Sequence, residues 1–173
     1  MSGNSKLDDI KLLVLDVDGV LTDGTIIVDS RGEESKFFNA VDGHGIRLWR
    51  RAGLKVAFIS GRASPPVDRH AEKLGVDYVY QDCHYKLPVL EKLVEELGLS
   101  ADDVAYVGDD LPDLPAIKYA GFGVAVAGAV EEVKQHADYI TTKQGGNGAV
   151  REVIEYLLRN TGRWQEVMKR YLS

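Results

Sequence analysis

The sequence predicts an α/β fold with a central parallel sheet and helices on both faces, and three observations predict it. Short apolar runs bounded by acids or glycine recur along the chain, as buried parallel strands do. Segments with apolar residues at helical spacing lie between them, and three end at a glycine: Gly53, Gly75 and Gly98. From "LKVAFIS" onward, strands and helices alternate, which is the pattern of crossover units.

Each element has its own reason. Residues 10–15 form an apolar run stopped by Asp16, Asp18 and Gly19, so they predict a buried, central strand. Residues 25–38, "TIIVDSRGEESKFF", place β-branched and aromatic residues on either side of Asp29-Ser30-Arg31-Gly32 and predict a hairpin. In residues 42–52, Ile46, Trp49 and Ala52 share one helical face, so Trp49 belongs to the core. A helix over 65–74 begins on proline, and strand "DYVY", helix 88–97 and strand "DVAYV" follow. Then come helix "PDLPAIKYA", strand "FGVAV", helix "VEEVKQH" and strand "DYIT". A glycine loop, "GGNG", leads into an amphipathic helix, and "WQEVMKRYL" is a last helix. With no internal repeat or linker, the 173 residues read as one domain, with a flap at about 24–39 and a tail at about 160–173.

Composition narrows the function. A net charge of -6 with dispersed Lys and Arg argues against nucleic acid as a partner. No apolar run nears the roughly 20 residues of a membrane helix. The start "MSGNSKLDDIK" lacks a secretory signal's apolar centre, and the one cysteine, Cys83, has no internal partner for a disulfide, so a cytoplasmic location is expected.

In an open parallel sheet, ligands bind beyond the carboxyl ends of the strands. Polar clusters fall there: Asp16 and Asp18, then Ser60-Gly61-Arg62, then Asp109, Asp110 and Asp113, with Lys86 opening the helix between the last two. Carboxylates crowded in one crevice raise one another's pKa unless a cation sits among them, and a hard divalent ion, Mg²⁺, suits oxygen ligands. Taken singly, each cluster also reads as a turn, a helix cap or a solvated charge. Their joint order favours a site. Cys83 and His84 lack the ligand count of a zinc site, and His44, between two glycines, is placed near the entrance.

"DVDGVLTDG", "ISGR", Lys86 and "GDDLPD", in that order, resemble the four signature motifs of the haloacid dehalogenase superfamily, and the likeness runs over nearly the whole chain. The resemblance implies a Rossmann-like fold and a Mg²⁺-dependent phosphatase. Asp16 is then the nucleophile that becomes an aspartyl phosphate, and Asp18 the general acid and base. It also implies metal ligation by Asp16, Asp109 and the backbone carbonyl of Asp18. Asp113, and less directly Asp110, would hold metal-bound water, while Ser60, Gly61 and Lys86 hold the phosphate. Spacing leaves no room for a cap domain after either of the first two motifs.

Further text, "GEESKFFNAVDGHGIR" and "GGNGAVREV", resembles a capless branch that acts on phosphorylated keto sugar acids. That branch implies 3-deoxy-D-manno-octulosonate (KDO) 8-phosphate as substrate, with a nine-carbon keto acid 9-phosphate as the alternative. It implies Arg62 on the substrate carboxylate and a homotetramer whose tail reaches a neighbour's entrance. Val41, Tyr85 and Asn147 depart from the branch pattern and bear on specificity. Two other classes share the acid cluster: a receiver-like phospho-acceptor and a non-catalytic sugar-phosphate binder. Asp18 speaks against the first, because a switch that keeps its phosphate has no use for a second, in-line acid.

Overall fold

The computed structural model describes residues 5–172. Its main sheet has six parallel strands: β1 (Leu12–Leu15), β4 (Lys55–Ile59), β5 (Tyr78–Tyr80), β6 (Val104–Gly108), β7 (Phe122–Ala125) and β8 (Tyr139–Ile140). They lie in the order β5-β4-β1-β6-β7-β8. β1 is central, with Leu12 opposite Lys55 of β4 on one side and Val104 of β6 on the other. All four β1 side chains are fully buried, each worth about 1.5–3 kcal/mol in the transfer of a large aliphatic group out of water. Burial on both faces explains why this strand is an unbroken apolar run rather than an alternating one.

Two helical layers cover the sheet. On one side α2 (Ala40–Arg51) packs on α7 (Ala149–Asn160) and α3 (Pro65–Leu74); on the other, α4 (Lys86–Glu96), α5 (Leu114–Tyr119) and α6 (Glu131–Lys134) are linked. α1 (Ser5–Asp8) and α8 (Trp164–Leu172) both contact α7. Trp49 is buried as expected, and its indole N–H donates to the Lys55 carbonyl at 2.7 Å, so α2 is pinned to the start of β4.

Two local readings change. The hairpin is shorter than residues 25–38 suggest, pairing only β2 (Ile27–Val28) with β3 (Glu34–Ser35). Its strands stay short because nothing among the described residues covers Val28 or Phe37, which is 79% exposed. α2 starts two residues early, at Ala40, because the Asn39 side chain accepts from the N–H groups of Val41 and Asp42. Asp42 therefore lies inside the helix and serves elsewhere. Buried, it accepts from the N–H groups of Gly148 and Arg151 at 3.1 and 2.8 Å and caps α7 from outside. After the glycine loop the chain forms α7 and, past a turn at 161–163, α8; Val167 is buried, and Tyr171 meets both Arg51 and His44 of α2.

The glycine loop packs on the turn that follows β1. The Gly146 N–H donates to the Val20 carbonyl at 2.9 Å. A Cβ on Gly145 would stand 1.7 Å from the Gly19 carbonyl oxygen, so only glycine permits this approach. Among the described residues no helix is long and apolar enough to cross a membrane.

Candidate active site

Chain direction puts a crevice at the end of β1. From β1 the chain moves outward to β4 and β5, then crosses back to β6 on the far side, so strand order reverses at β1. The turns leaving β4 and β6 diverge there and leave a cleft of about 310 Å³ lined by Asp16, Asp18, Arg62, Lys86, Asp109 and Asp113. Gly61 also lines it, while Ser60 lies one residue back, buried, its hydroxyl accepting from the Arg62 N–H at 3.3 Å.

Lys86 organises the floor. Its buried ammonium donates to Asp16 Oδ1 at 2.6 Å and Asp113 Oδ1 at 2.7 Å. A cation at the first position of α4 opposes the helix dipole, and the two carboxylates offset that cost. Burial alone would favour the neutral amine, but the two acids hold the Lys86 pKa above its ordinary value.

Asp113 is fully engaged. Lys86 and the buried Tyr106 hydroxyl, at 2.7 Å, share its Oδ1, while the N–H groups of Asp109 and Asp110 reach Oδ2 at 3.1 and 3.3 Å. Asp110 also lines the cleft, but it is exposed, caps a short 3₁₀ turn through the Leu111 N–H, and is not one of the three clustered acids.

Oxygen atoms of Asp16, Asp109 and Asp113 lie within 4.8 Å of one another. Three carboxylates face one ammonium, so two negative charges lack compensation. Burial, then repulsion from Asp113, pushes Asp16 well above the usual carboxylate range, against the pull of Lys86. The same two causes push Asp109 up to about 6. This is the signature of a pocket built for a cation, and the all-oxygen donor set fits a hard divalent ion. Gly19 completes the fit: a Cβ there would stand 2.0 Å from Asp109 Oδ2, and its φ of +89° already excludes most side chains.

The acid pair at the end of β1 splits between two environments. Asp16 faces the floor, whereas Asp18 meets the flap: Lys36 donates to Asp18 Oδ1 at 2.5 Å, and Arg62 Nε lies 3.9 Å from Oδ2. Arg62 also donates to Glu34 Oε2 at 2.8 Å, and Lys36 reaches Glu34 Oε1 at 2.7 Å. The bond from Lys36 is the main reason the Glu34 pKa falls to about 2, against burial.

Sequence reasoning missed Glu34, Lys36 and Tyr106. The first two stand two apart, Glu34 in β3 and Lys36 just past its end, and the i, i+2 spacing of opposite charges in extended chain is the signal that could have marked a wall rather than a solvated turn. Tyr106 is the only hydroxyl in an otherwise apolar run, and a buried hydroxyl needs a partner. Cys83 is half-buried and His84 exposed beside Asp82, with no ligand set around them among the described residues, and His44 turns to Tyr171 rather than to the crevice.

Fold and crevice define a hydrolase of the haloacid dehalogenase kind, and the model of the haloacid dehalogenase-like hydrolase family matches residues 79–154. The KDO 8-phosphate phosphatase KdsC of Escherichia coli K12 is 44% identical over 162 residues, covering 94% of this chain and 86% of the relative. The chain therefore belongs to the family of KDO 8-phosphate phosphatases within those hydrolases. Among solved structures, the phosphatase of Moraxella catarrhalis in complex with magnesium, phosphate and KDO superposes with a TM-score of 0.94 at 44% identity, covering 96% of each chain. The cobalt-bound enzyme of Haemophilus influenzae gives 0.88 at 39% identity, over 91% of this chain and 92% of that one.

Proposed function

We propose that this protein is a Mg²⁺-dependent phosphatase that hydrolyses KDO 8-phosphate to KDO and inorganic phosphate through an aspartyl phosphate on Asp16. The observation that carries the reading is the buried Asp16–Lys86–Asp113 cluster beside Asp109 at the reversal point of the sheet, in a chain of this family. Oxygens of Asp16 and Asp109 and the Asp18 carbonyl would hold magnesium, which would supply the positive charge that lets a phosphate dianion enter an acidic pocket.

The chain's own groups do the rest. Lys86 fixes the Asp16 carboxylate through Oδ1 for attack on phosphorus and pulls toward its ionised form, which burial and Asp113 oppose until a cation binds. Asp18 gives a proton to the departing sugar oxygen, then takes one from the water that releases phosphate from Asp16. At the turn leaving β4 the Gly61 N–H and the Ser60 hydroxyl offer donors to the equatorial oxygens, the Ser60 N–H being taken by the Tyr80 carbonyl, and Lys86 adds charge there. Asp113 acts by positioning, since four donors already occupy its oxygens. Arg62, at the rim, suits a sugar carboxylate through paired hydrogen bonds.

The wider reading is a single catalytic domain, cytoplasmic, acting as a homotetramer. Ile26, Val28 and Phe37 of the flap support assembly, being exposed apolar side chains beside an uncapped crevice. Packing flaps from several copies would cover them and roof the neighbouring sites. Because α8 lies on its own α2, the flap rather than the tail is the better supported contact.

Phosphate release from KDO 8-phosphate, a nine-carbon keto acid 9-phosphate and an aryl phosphate, each with and without Mg²⁺, tests the reading. A higher kcat/KM for the eight-carbon substrate, with activity lost on chelation, is expected. Preference for the nine-carbon ester would replace the substrate, and no release from any ester would remove the enzyme.

A further inference from the structure

Lys36 has no part in the chemistry above, yet its side chain is only 1% exposed although it comes from a flap of two-residue strands. Burying an ammonium is costly unless carboxylates meet it at close range. Two do: Asp18 Oδ1 at 2.5 Å and Glu34 Oε1 at 2.7 Å. Glu34 is held in turn by Arg62 through its other oxygen, at 2.8 Å. A chain of alternating charges thus runs from the rim, Arg62 to Glu34 to Lys36, and ends on the second acid of the "DVDG" turn. Of the two cations in it, Lys36 alone reaches Asp18 at hydrogen-bond distance, since Arg62 Nε stops 3.9 Å away.

The consequence lies in which oxygen is taken. An in-line acid must present one oxygen toward the leaving group, and a carboxylate free to spin about its Cβ–Cγ bond loses much of that advantage. We propose that Lys36 is a positioning residue for the reaction: from the flap it clamps Asp18 Oδ1, with Glu34 as its brace, and leaves Oδ2 as the oxygen that exchanges protons. This rests on the proposed phosphatase mechanism and adds to it a residue of the flap. In the first half-reaction the proton on Asp18 Oδ2 passes to the ester oxygen as the bond from that oxygen to phosphorus breaks and the bond from Asp16 to phosphorus forms. In the second, Oδ2 takes a proton from the attacking water as the bond from the water oxygen to phosphorus forms and the bond from Asp16 to phosphorus breaks, releasing inorganic phosphate. The clamp is on the Asp18 side chain and touches neither phosphorus nor the carboxylates of Asp16 and Asp109.

A lysine that positions a general acid has a kinetic signature distinct from that of a lysine that binds phosphate or merely holds the flap. Its loss should hurt a sugar phosphate, whose alkoxide must be protonated to leave, far more than an aryl phosphate, whose phenolate leaves unaided. kcat/KM reports the first half-reaction and isolates that difference. The experiment measures kcat/KM on KDO 8-phosphate and on p-nitrophenyl phosphate, at saturating Mg²⁺, for wild type, Lys36→Met, Lys36→Arg and Glu34→Gln. It also measures inhibition by inorganic phosphate. Lys36→Met is expected to lose about 30-fold on the sugar ester and no more than about threefold on the aryl ester, a loss below the full contribution of a general acid. Lys36→Arg should recover part of that loss, inhibition by phosphate should stay unchanged, and Glu34→Gln should show a smaller loss with the same ester preference.

Equal losses on the two esters would overturn the inference, as would weakened phosphate inhibition, which would make Lys36 a phosphate ligand. Should Lys36→Met not fold, Glu34→Gln decides the matter by the same ester comparison, because it removes the brace and keeps the ammonium. Wild-type protein inactive on both esters would instead overturn the underlying phosphatase mechanism, and the clamp with it.

Discussion

The floor of the crevice and its flap are built on opposite plans. The floor is the carboxyl edge of a sheet whose central strand is fully buried, and its polar groups, Asp16, Lys86, Asp113 and Tyr106, are buried with it and bonded to one another. The flap has two short strands, exposes Val28 and Phe37, and meets the body of the site through the ion pairs of Lys36 and Glu34. The difference divides the labour. Bond-making at phosphorus needs atoms fixed by a core that cannot yield, whereas entry, closure and assembly need a surface that a neighbour or a substrate can complete.

The largest effect that would sharpen this contrast belongs to the floor. Asp16→Asn should cut phosphatase turnover by at least about 10³-fold, since it removes the proposed nucleophile while keeping its shape. The circular dichroism spectrum should be unchanged, and substantial residual turnover in purified protein would break the assignment.

Next comes the strand beneath. Leu13→Ala opens a cavity in a fully buried position and should cost about 3 kcal/mol in urea unfolding, whereas loss of less than about 1 kcal/mol would mean a floor that can relax.

The third effect depends on pH. Asp109 titrates near 6 in the folded chain, against 3.8 for an ordinary aspartate, so between those values the folded form keeps a proton that the unfolded form has lost. Without metal, that contribution to stability is present below about pH 4 and is lost as pH rises through 6. Asp16 acts in the same direction. Magnesium takes the place of the proton, so the rise in melting temperature on adding Mg²⁺ should grow from about pH 4 to about pH 7. A pH-independent rise, or the same rise in Asp109→Ala, would remove Asp109 from the metal site.

The smallest effect on folding belongs to the flap. Val28→Lys with Phe37→Ser should change the folding free energy of the dilute chain by no more than about 0.5 kcal/mol, because both side chains already face water. On the proposed tetramer, for which a mass near four times 19.0 kDa is expected, the same pair should lower the mass measured by light scattering. An unaltered mass would place the assembly surface elsewhere and leave the flap as a lid for its own site alone.

The two regions were also unequally legible. Every residue of the floor that holds a charge, Asp16, Lys86, Asp109 and Asp113, can be found from the ends of apolar runs and the start of a helix, because a buried strand must stop where polar atoms can reach the crevice. In the flap the same reading yields a hairpin and, at its rim, Arg62, but not Glu34 or Lys36. A charged residue on a short strand looks solvated until one knows what lies across from it. Asp42 shows the same limit: it sits inside a helical pattern, and only the fold reveals that it caps a helix 106 residues away through Gly148.

The sequence by itself determined the alternation of strands and helices, the strand ends that carry acids, and the order of motifs that fixes the family resemblance, because these are set by periodicity and local stops along the chain. Only the tertiary structure decided that β1 lies between β4 and β6, that the glycine loop braces the turn after β1, and that Lys36 folds back onto Asp18. Those facts depend on which distant segments share a crevice. Close approach, burial and charge pairing between them carry no periodic mark in the chain, so they emerge only when the sheet is assembled.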